Sequence, residues 1–353
     1  MRNYIFPGLN PTRHTATINK ICFPAMDKMI SRFPEQLEEA LQLAENARIS
    51  KHTAAIRTVL ICGLGGSGIG GNFVQDLTSA ECKVPILVNK GYLAPHWANK
   101  HTLAICSSYS GNTEETLQVF DQLVGTGAKI VCVTSGGQLL ERAKKHGFDY
   151  VQVPGGWSSP RACLGYSIVA QLAVLHGAKL IKGRIFRQLD VARKLLVKDQ
   201  ADIQKRAQKL AGFLAEKTPV LYCADHIEAV AVRWRQQINE NAKMLCWHHI
   251  VPEMNHNELV GWRLNRPDLA VVWLRNRNDN PRTAVRMNIN KEIIEHFTHT
   301  SIEVFSKGKS LPEQVMYLVH LGDWVSFFLA QARGVDPVEI KVIDFLKSEL
   351  AKV

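Results

Sequence analysis

Five short runs of β-branched and aliphatic residues recur through the first half of the chain: TVLICG at 58–63, PILVN at 85–89, TLAICSS at 102–108, KIVCVT at 129–134 and DYVQVP at 149–154. Helical or turn-rich pieces separate them. Runs that stay apolar on consecutive residues suit strands buried on both faces, and strands alternating with helices predict a parallel sheet covered on each side. The rhythm restarts with PVLYCA at 219–224, LAVVWL at 269–274 and SIEVFS at 301–306. Helical spacing is expected over 26–47 with a break at Pro34, and over about 226–242, 282–297, 312–332 and 337–350. The chain therefore reads as two α/β domains: a lead-in and helix over 1–50, a first domain over 51–185, a helical connector over 186–215 and a second domain with closing helices over 216–353. A length of 353 residues suits two cores of this size.

The net charge of +11 raises the question of an anionic partner. Much of it lies between Lys179 and Lys209, where ten Lys/Arg face three acids. These alternate with Leu, Ile and Val at helical spacing and lack a base-stacking aromatic series. A solvated helical connector is expected there rather than a nucleic-acid surface, and the first 50 residues show no convincing helix-turn-helix. Eight cysteines occur without a C-x-x-C. Cys62, Cys106, Cys132 and Cys223 fall inside the apolar runs, as core thiols in a reducing cytoplasm would. The first twenty residues carry no continuous apolar segment, and no stretch reaches the roughly 18 apolar residues of a spanning helix. No membrane association is expected.

The first strand runs into GLGGSGIGG at 63–71, which places Gly63, Gly65 and Gly68 at G-x-G-x-x-G spacing. Such a loop lets a backbone and the amides of a helix start approach a phosphate. A nicotinamide site also needs an acid at the end of the next strand to hold the ribose. Asn89 and Lys90 stand there instead, which argues against a dinucleotide. A second loop, CSSYSGNTEET at 106–116, follows the strand TLAIC and offers the hydroxyls of Ser108, Ser110 and Thr113 at a helix start. Taken alone, N-capping and turn formation explain these residues as well as a ligand does. Two such loops at the carboxyl edge of one sheet favour a monophosphate site.

Together GGSGIGG and SYSGNTEET resemble the sugar isomerase (SIS) domain. The likeness continues through MDKMISRFPEQLEEALQLA, PGGWSSPRA, INENAK at 238–243, EMNHNE at 253–258 and DPVEIKVIDFLKSEL, in matching order with the bifunctional phosphoglucose/phosphomannose isomerases. This resemblance implies two Rossmann-like SIS domains, a phosphorylated hexose substrate, no cofactor or metal, and a homodimer whose active sites are shared. It assigns the phosphate to Gly66, Ser67, Ser108, Ser110 and Thr113. It sets Arg161, after Pro160, beside the reacting oxygens. Glu240 becomes the base that moves a proton between C1 and C2, His256 the group that opens the sugar ring from the partner subunit, and Lys347 the group that protonates the ring oxygen, with Lys341 as the nearby substitute.

The residues themselves leave other readings open. Arg161 could be a surface cation at a helix start, where the dipole disfavours it, and Glu240 an exposed helix acid. His256 could be a satisfied loop histidine, or join His248, His249, Glu253 and Glu258 around a metal, although the spacing is not H-E-x-x-H. The family's acceptance of mannose 6-phosphate is associated with a small hydroxyl residue shortly before the lysine. Residues 336–347 contain no Ser or Thr, and Ile340 stands about where one would be sought, so the second substrate stays open. A non-catalytic sugar-phosphate sensor would need the phosphate loops but not Arg161, Glu240 and His256 together.

Overall fold

The computed structural model describes residues 24–352. The described residues open with α1 (Pro24–Ser31) and α2 (Phe33–Asn46). The expected break between them falls at Arg32, and Pro34 sits in the first turn of α2, where its missing N–H is harmless. The rest of the lead-in, 1–23, lies outside the described residues.

The first sheet contains β1 (Thr58–Cys62), β2 (Ile86–Asn89), β3 (Thr102–Ser107), β4 (Lys129–Thr134) and β5 (Asp149–Gln152). Its spatial order is β2-β1-β3-β4-β5, and every neighbouring pair is parallel. It is flanked by α3 (Gly65–Thr78), α4 (Glu114–Leu123), α5 (Gly137–His146) and α6 (Leu164–Gly177). Because β1 pairs with both β2 and β3, the strand order reverses beside it. The loops after β1 and β3 thus border the crevice where open α/β sheets take ligands. Both expected hydroxyl and glycine loops are these two.

The second sheet repeats the plan. It comprises β6 (Thr218–Ala224), β7 (Trp247–Val251), β8 (Leu269–Arg275) and β9 (Ser301–Phe305) in the parallel order β7-β6-β8-β9. Its helices are α8 (Glu228–Ala242), α9 (Pro281–Glu295), α10 (Leu311–Arg333) and α11 (Lys341–Leu350). The sequence pattern did not single out β7. Its WHHIV stretch forms an edge strand buried only at Val251, so it needs little apolar character. The last helix begins at Lys341 rather than at Pro337. Asp336 accepts from the Val338 amide and turns the chain, and residues 337–340 cross the end of α8 as a non-helical strap.

The basic stretch proves to be more than a solvated connector. It forms α7 (Arg184–Leu214), whose Ile185, Leu189, Ala192, Leu196, Ile203, Ala207 and Leu214 are buried in the principal core shared by both halves. Its cations occupy the other face. Helix α10, which packs on α7, is closed by a Ser310/Glu313 capping box and by Gly334 in the left-handed conformation. Among the described residues no cysteine is bridged, and no helix is long and apolar enough to cross a membrane.

Candidate active site

Helix α3 starts inside the glycine loop. Gly65 takes φ +50°, and a Cβ on Gly68 would stand 2.4 Å from the Gly63 carbonyl oxygen, so the turn from β1 into the helix admits no side chain there. The amides of Gly65 and Gly66, at the first two helical positions, have no intrahelical acceptor and face the end of the sheet with the positive pole of the dipole. The Ser67 hydroxyl, one residue on, accepts from the Tyr109 amide at 3.2 Å and ties this loop to the next. In that second loop the Ser108 and Thr113 hydroxyls lie 2.8 Å apart, and the Gly111 amide donates to Ser108 Oγ at 3.1 Å. Ser110 is exposed at the loop tip and accepts from the Asn112 amide. Two helix starts and the hydroxyls of Ser67, Ser108, Ser110 and Thr113 thus gather at one edge of the sheet, a candidate anion cradle.

The PRA segment forms a 3-10 turn over Pro160–Ala162 that packs against the start of α3: a Cβ on Gly66 would meet the Pro160 carbonyl oxygen at 3.4 Å. Arg161, far from being a surface cation, is only 7% exposed. Its Nη1 lies 3.3 Å from Glu240 Oε2, its Nε donates to Asn241 Oδ1 at 2.9 Å, and its Nη2 donates to the Pro337 carbonyl. Burial draws the guanidinium pKa down, and the Glu240 carboxylate opposes that shift. Glu240, in the last turn of α8, keeps a third of its side chain exposed. A buried, oriented cation beside a partly exposed carboxylate is chemically suited to handling a proton near a developing oxyanion.

The remaining candidates lie elsewhere. His256 ends a 3-10 turn over Glu253–His256 beyond β7 and is exposed, with no side-chain hydrogen bond among the described residues. Lys347 and Lys341 are exposed on α11, which buries no side chain. No contact brings these three to Arg161 and Glu240 within the described chain. The alternative metal set is engaged separately. His249 meets Glu258 at 2.8 Å, His248 meets Glu228 at 3.5 Å, and Glu253 accepts from Asn257.

Residues 203–350 match the bacterial phospho-glucose isomerase C-terminal SIS domain. The bifunctional phosphoglucose/phosphomannose isomerase of Caldicellulosiruptor bescii is 36% identical over 93% of this chain and 99% of its own. That of Aquifex aeolicus is 37% identical over 86% and 93%. The chain belongs to the bifunctional phosphoglucose/phosphomannose isomerase family. Its fold is that of the SIS proteins. The C-terminal domain of glucosamine-fructose-6-phosphate aminotransferase from Francisella tularensis superposes with a TM-score of 0.71 at 14% identity, over 89% of this chain and 97% of that one.

Sequence reading missed several residues that support the site in this isomerase family member. The amide nitrogen of Gln171, buried in α6, lies 3.2 Å from the Ser67 carbonyl oxygen, 3.2 Å from Ser107 Oγ and 3.0 Å from Ser167 Oγ, so its two N–H groups are shared among contacts that reach both loops. Asn241 holds Arg161 and in turn donates to Ser326 Oγ at 2.9 Å. Ser326 donates to the Asp323 carbonyl, and the Asp323 carboxylate is gripped by Arg233 at 2.9 and 3.0 Å. A lone glutamine in the apolar run SIVAQLAVL was a usable signal. Asn241 carried none, because its partner is 80 residues away.

Proposed function

We propose that this chain interconverts glucose 6-phosphate and fructose 6-phosphate, and mannose 6-phosphate with the same ketose, through a cis-enediol intermediate. The observation that carries this reading is the Arg161–Glu240 pair, 3.3 Å apart beside the anion cradle. The substrate phosphate sits among the α3 amides and the hydroxyls of Ser67, Ser108, Ser110 and Thr113. Glu240 removes the proton at C2 of the open aldose and returns it at C1, while Arg161 stabilises the oxyanion that develops between them. The C2 centre is planar in the enediol, so the face of C2 that the intermediate presents to Glu240 when the proton returns decides between glucose and mannose stereochemistry. The relatives named for both activities support the second substrate despite the absence of a hydroxyl residue at 336–347.

Ring opening precedes proton transfer, and His256 and Lys347 are the groups we assign to it. The exposure of His256 and its separation from the Arg161–Glu240 pair support a homodimer in which the partner's His256 completes each site. The unbridged thiols of the described residues support a reducing cytoplasm.

A two-part assay tests the reaction. Purified protein incubated with fructose 6-phosphate and EDTA should release both aldose phosphates, and in deuterium oxide the glucose 6-phosphate formed should carry deuterium at C2. Glu240→Gln should bind substrate but lose roughly 10²–10⁴-fold in turnover, with the exchange lost in step. Exchange at the wild-type rate in that variant would place the base elsewhere.

A further inference from the structure

The strap before α11 is fastened across the end of α8 by two cations from different parts of the chain. Arg161 donates from Nη2 to the Pro337 carbonyl, and Lys243 donates from Nζ to the Glu339 carbonyl at 2.7 Å. The same Lys243 ammonium also donates to the carbonyl of Glu240. With the Arg161–Glu240 pair at 3.3 Å, these contacts close a ring that runs Arg161, Pro337, Glu339, Lys243, Glu240 and back to Arg161.

Lys243 differs from an ordinary cation at a helix end in two respects. It follows the last residue of α8 with φ +54° and ψ +38°, the left-handed conformation in which helices commonly end on glycine. Among the described non-glycine residues only Lys179 shares a positive φ. A glycine would satisfy the backbone better, so the side chain is kept against local preference. It is also partly buried, and burial pulls its ammonium pKa below the usual lysine range, with the Glu339 carboxylate opposing the shift. The charge is thus held in an unfavourable place where two carbonyl oxygens are waiting for it.

We infer that Lys243 is a positioning residue for the isomerisation, clamping the strap to the end of α8 so that Glu240 and the Arg161 guanidinium keep their working separation. The role rests on the isomerase reading given above. The Lys243 ammonium bonds the carbonyls of Glu240 and Glu339 rather than the hydroxyls assigned to the phosphate, so its effect belongs in turnover rather than in phosphate binding.

Two variants of the full chain separate this from a capping role. Lys243→Gly relieves the left-handed backbone and should leave the melting temperature equal to or above wild type. Lys243→Met keeps the same backbone demand and removes only the ammonium. In both, kcat should fall on the order of 10–100-fold, the size of effect that slight misplacement of reacting groups produces, while KM for fructose 6-phosphate stays nearly constant. Amide hydrogen exchange over 338–343 should accelerate about tenfold as the strap comes loose. Wild-type kcat in both variants overturns the proposal, and so does a lost kcat with unchanged exchange over 338–343. If the wild-type protein shows no isomerase activity, the reaction assignment fails instead, and the exchange measurement still decides whether Lys243 holds the strap.

Discussion

Asn241 follows Glu240 in sequence and stands behind Arg161 in space, so one helix end supplies both the carboxylate proposed as the base and the acceptor that orients the guanidinium. Its Oδ1 takes the Arg161 Nε proton and its Nδ2 donates to Ser326, which fixes the amide orientation. Asn241→Leu preserves volume but leaves the buried Nε unpaired, a loss of about 1–3 kcal/mol that should appear as a fall in kcat. In an Arg161→Lys background, where no Nε donor remains, the same substitution should cost little more. Equal losses in both backgrounds, read from a double-mutant cycle, would show that Asn241 acts on the fold and not through Arg161. At this scale the sequence was legible where chemistry is local. Glycine and hydroxyl spacing picked out the loops that carry Ser67, Ser108 and Thr113, which the fold places side by side, and the surrounding motifs picked out Arg161 and Glu240, which it pairs. The contacts of Asn241 and Lys243 were not legible, because each acts through partners scattered across the chain, and the apolar run around Gln171 marked that residue without showing what it bonds.

At the scale of elements, the joint between α3 and α8 carries a titrating group. Asp76, near the end of α3, accepts the Ala229 amide at the start of α8 at 3.1 Å. Burial pushes its carboxyl up from the ordinary range to about 7, the Ala229 amide opposes the rise, and Glu228 and Asp225 add to it. The folded protein therefore holds a proton, between about pH 4 and 7, that the unfolded chain has released. The stability contribution of this group falls as pH rises through that window, and the full penalty is felt above it. Asp76→Asn keeps an acceptor for Ala229 without the charge. Its advantage over wild type in urea unfolding should be small near pH 5 and grow toward pH 8. An advantage that stays constant or shrinks would contradict the assignment. Strands and helices were mostly legible because β1, β3, β4, β6 and β8 are interior and continuously apolar. The edge strand β7 escaped because its two histidines face partly outward, and α11 was placed four residues early because the strap from Pro337 is shaped by tertiary contacts to Arg161 and Lys243.

For the whole molecule, the proposed role of His256 in ring opening turns on the exposed loop that carries it. The loop that carries it is bolted to α9, since Asn255 Nδ2 donates to Asn290 Oδ1 at 2.8 Å and Arg286 reaches Asn255 Oδ1. Along α9 the side chains of Val285, Ile289 and Ile293 recur at four-residue steps and are 46%, 51% and 36% exposed, with Val260 exposed near the same loop. A helix face of this kind gains roughly 25 cal/mol for each Å² of apolar surface that a second copy covers. In a two-fold pair the loop on each subunit would travel with that face toward the other. In the proposed homodimer, Ile289→Glu should therefore yield monomers by sedimentation and lower turnover together, although it lies outside the Arg161–Glu240 pair. The sharper measurement mixes two inactive proteins, Glu240→Gln and His256→Ala. In a hybrid dimer one site inherits both lesions and the other inherits none. Random exchange makes half the dimers hybrid, so about a quarter of wild-type activity should return. Adding Ile289→Glu to both partners should abolish that recovery. Hybrids confirmed by native mass spectrometry but devoid of activity would mean that His256 serves its own chain, reached by closure of the loop beyond β7.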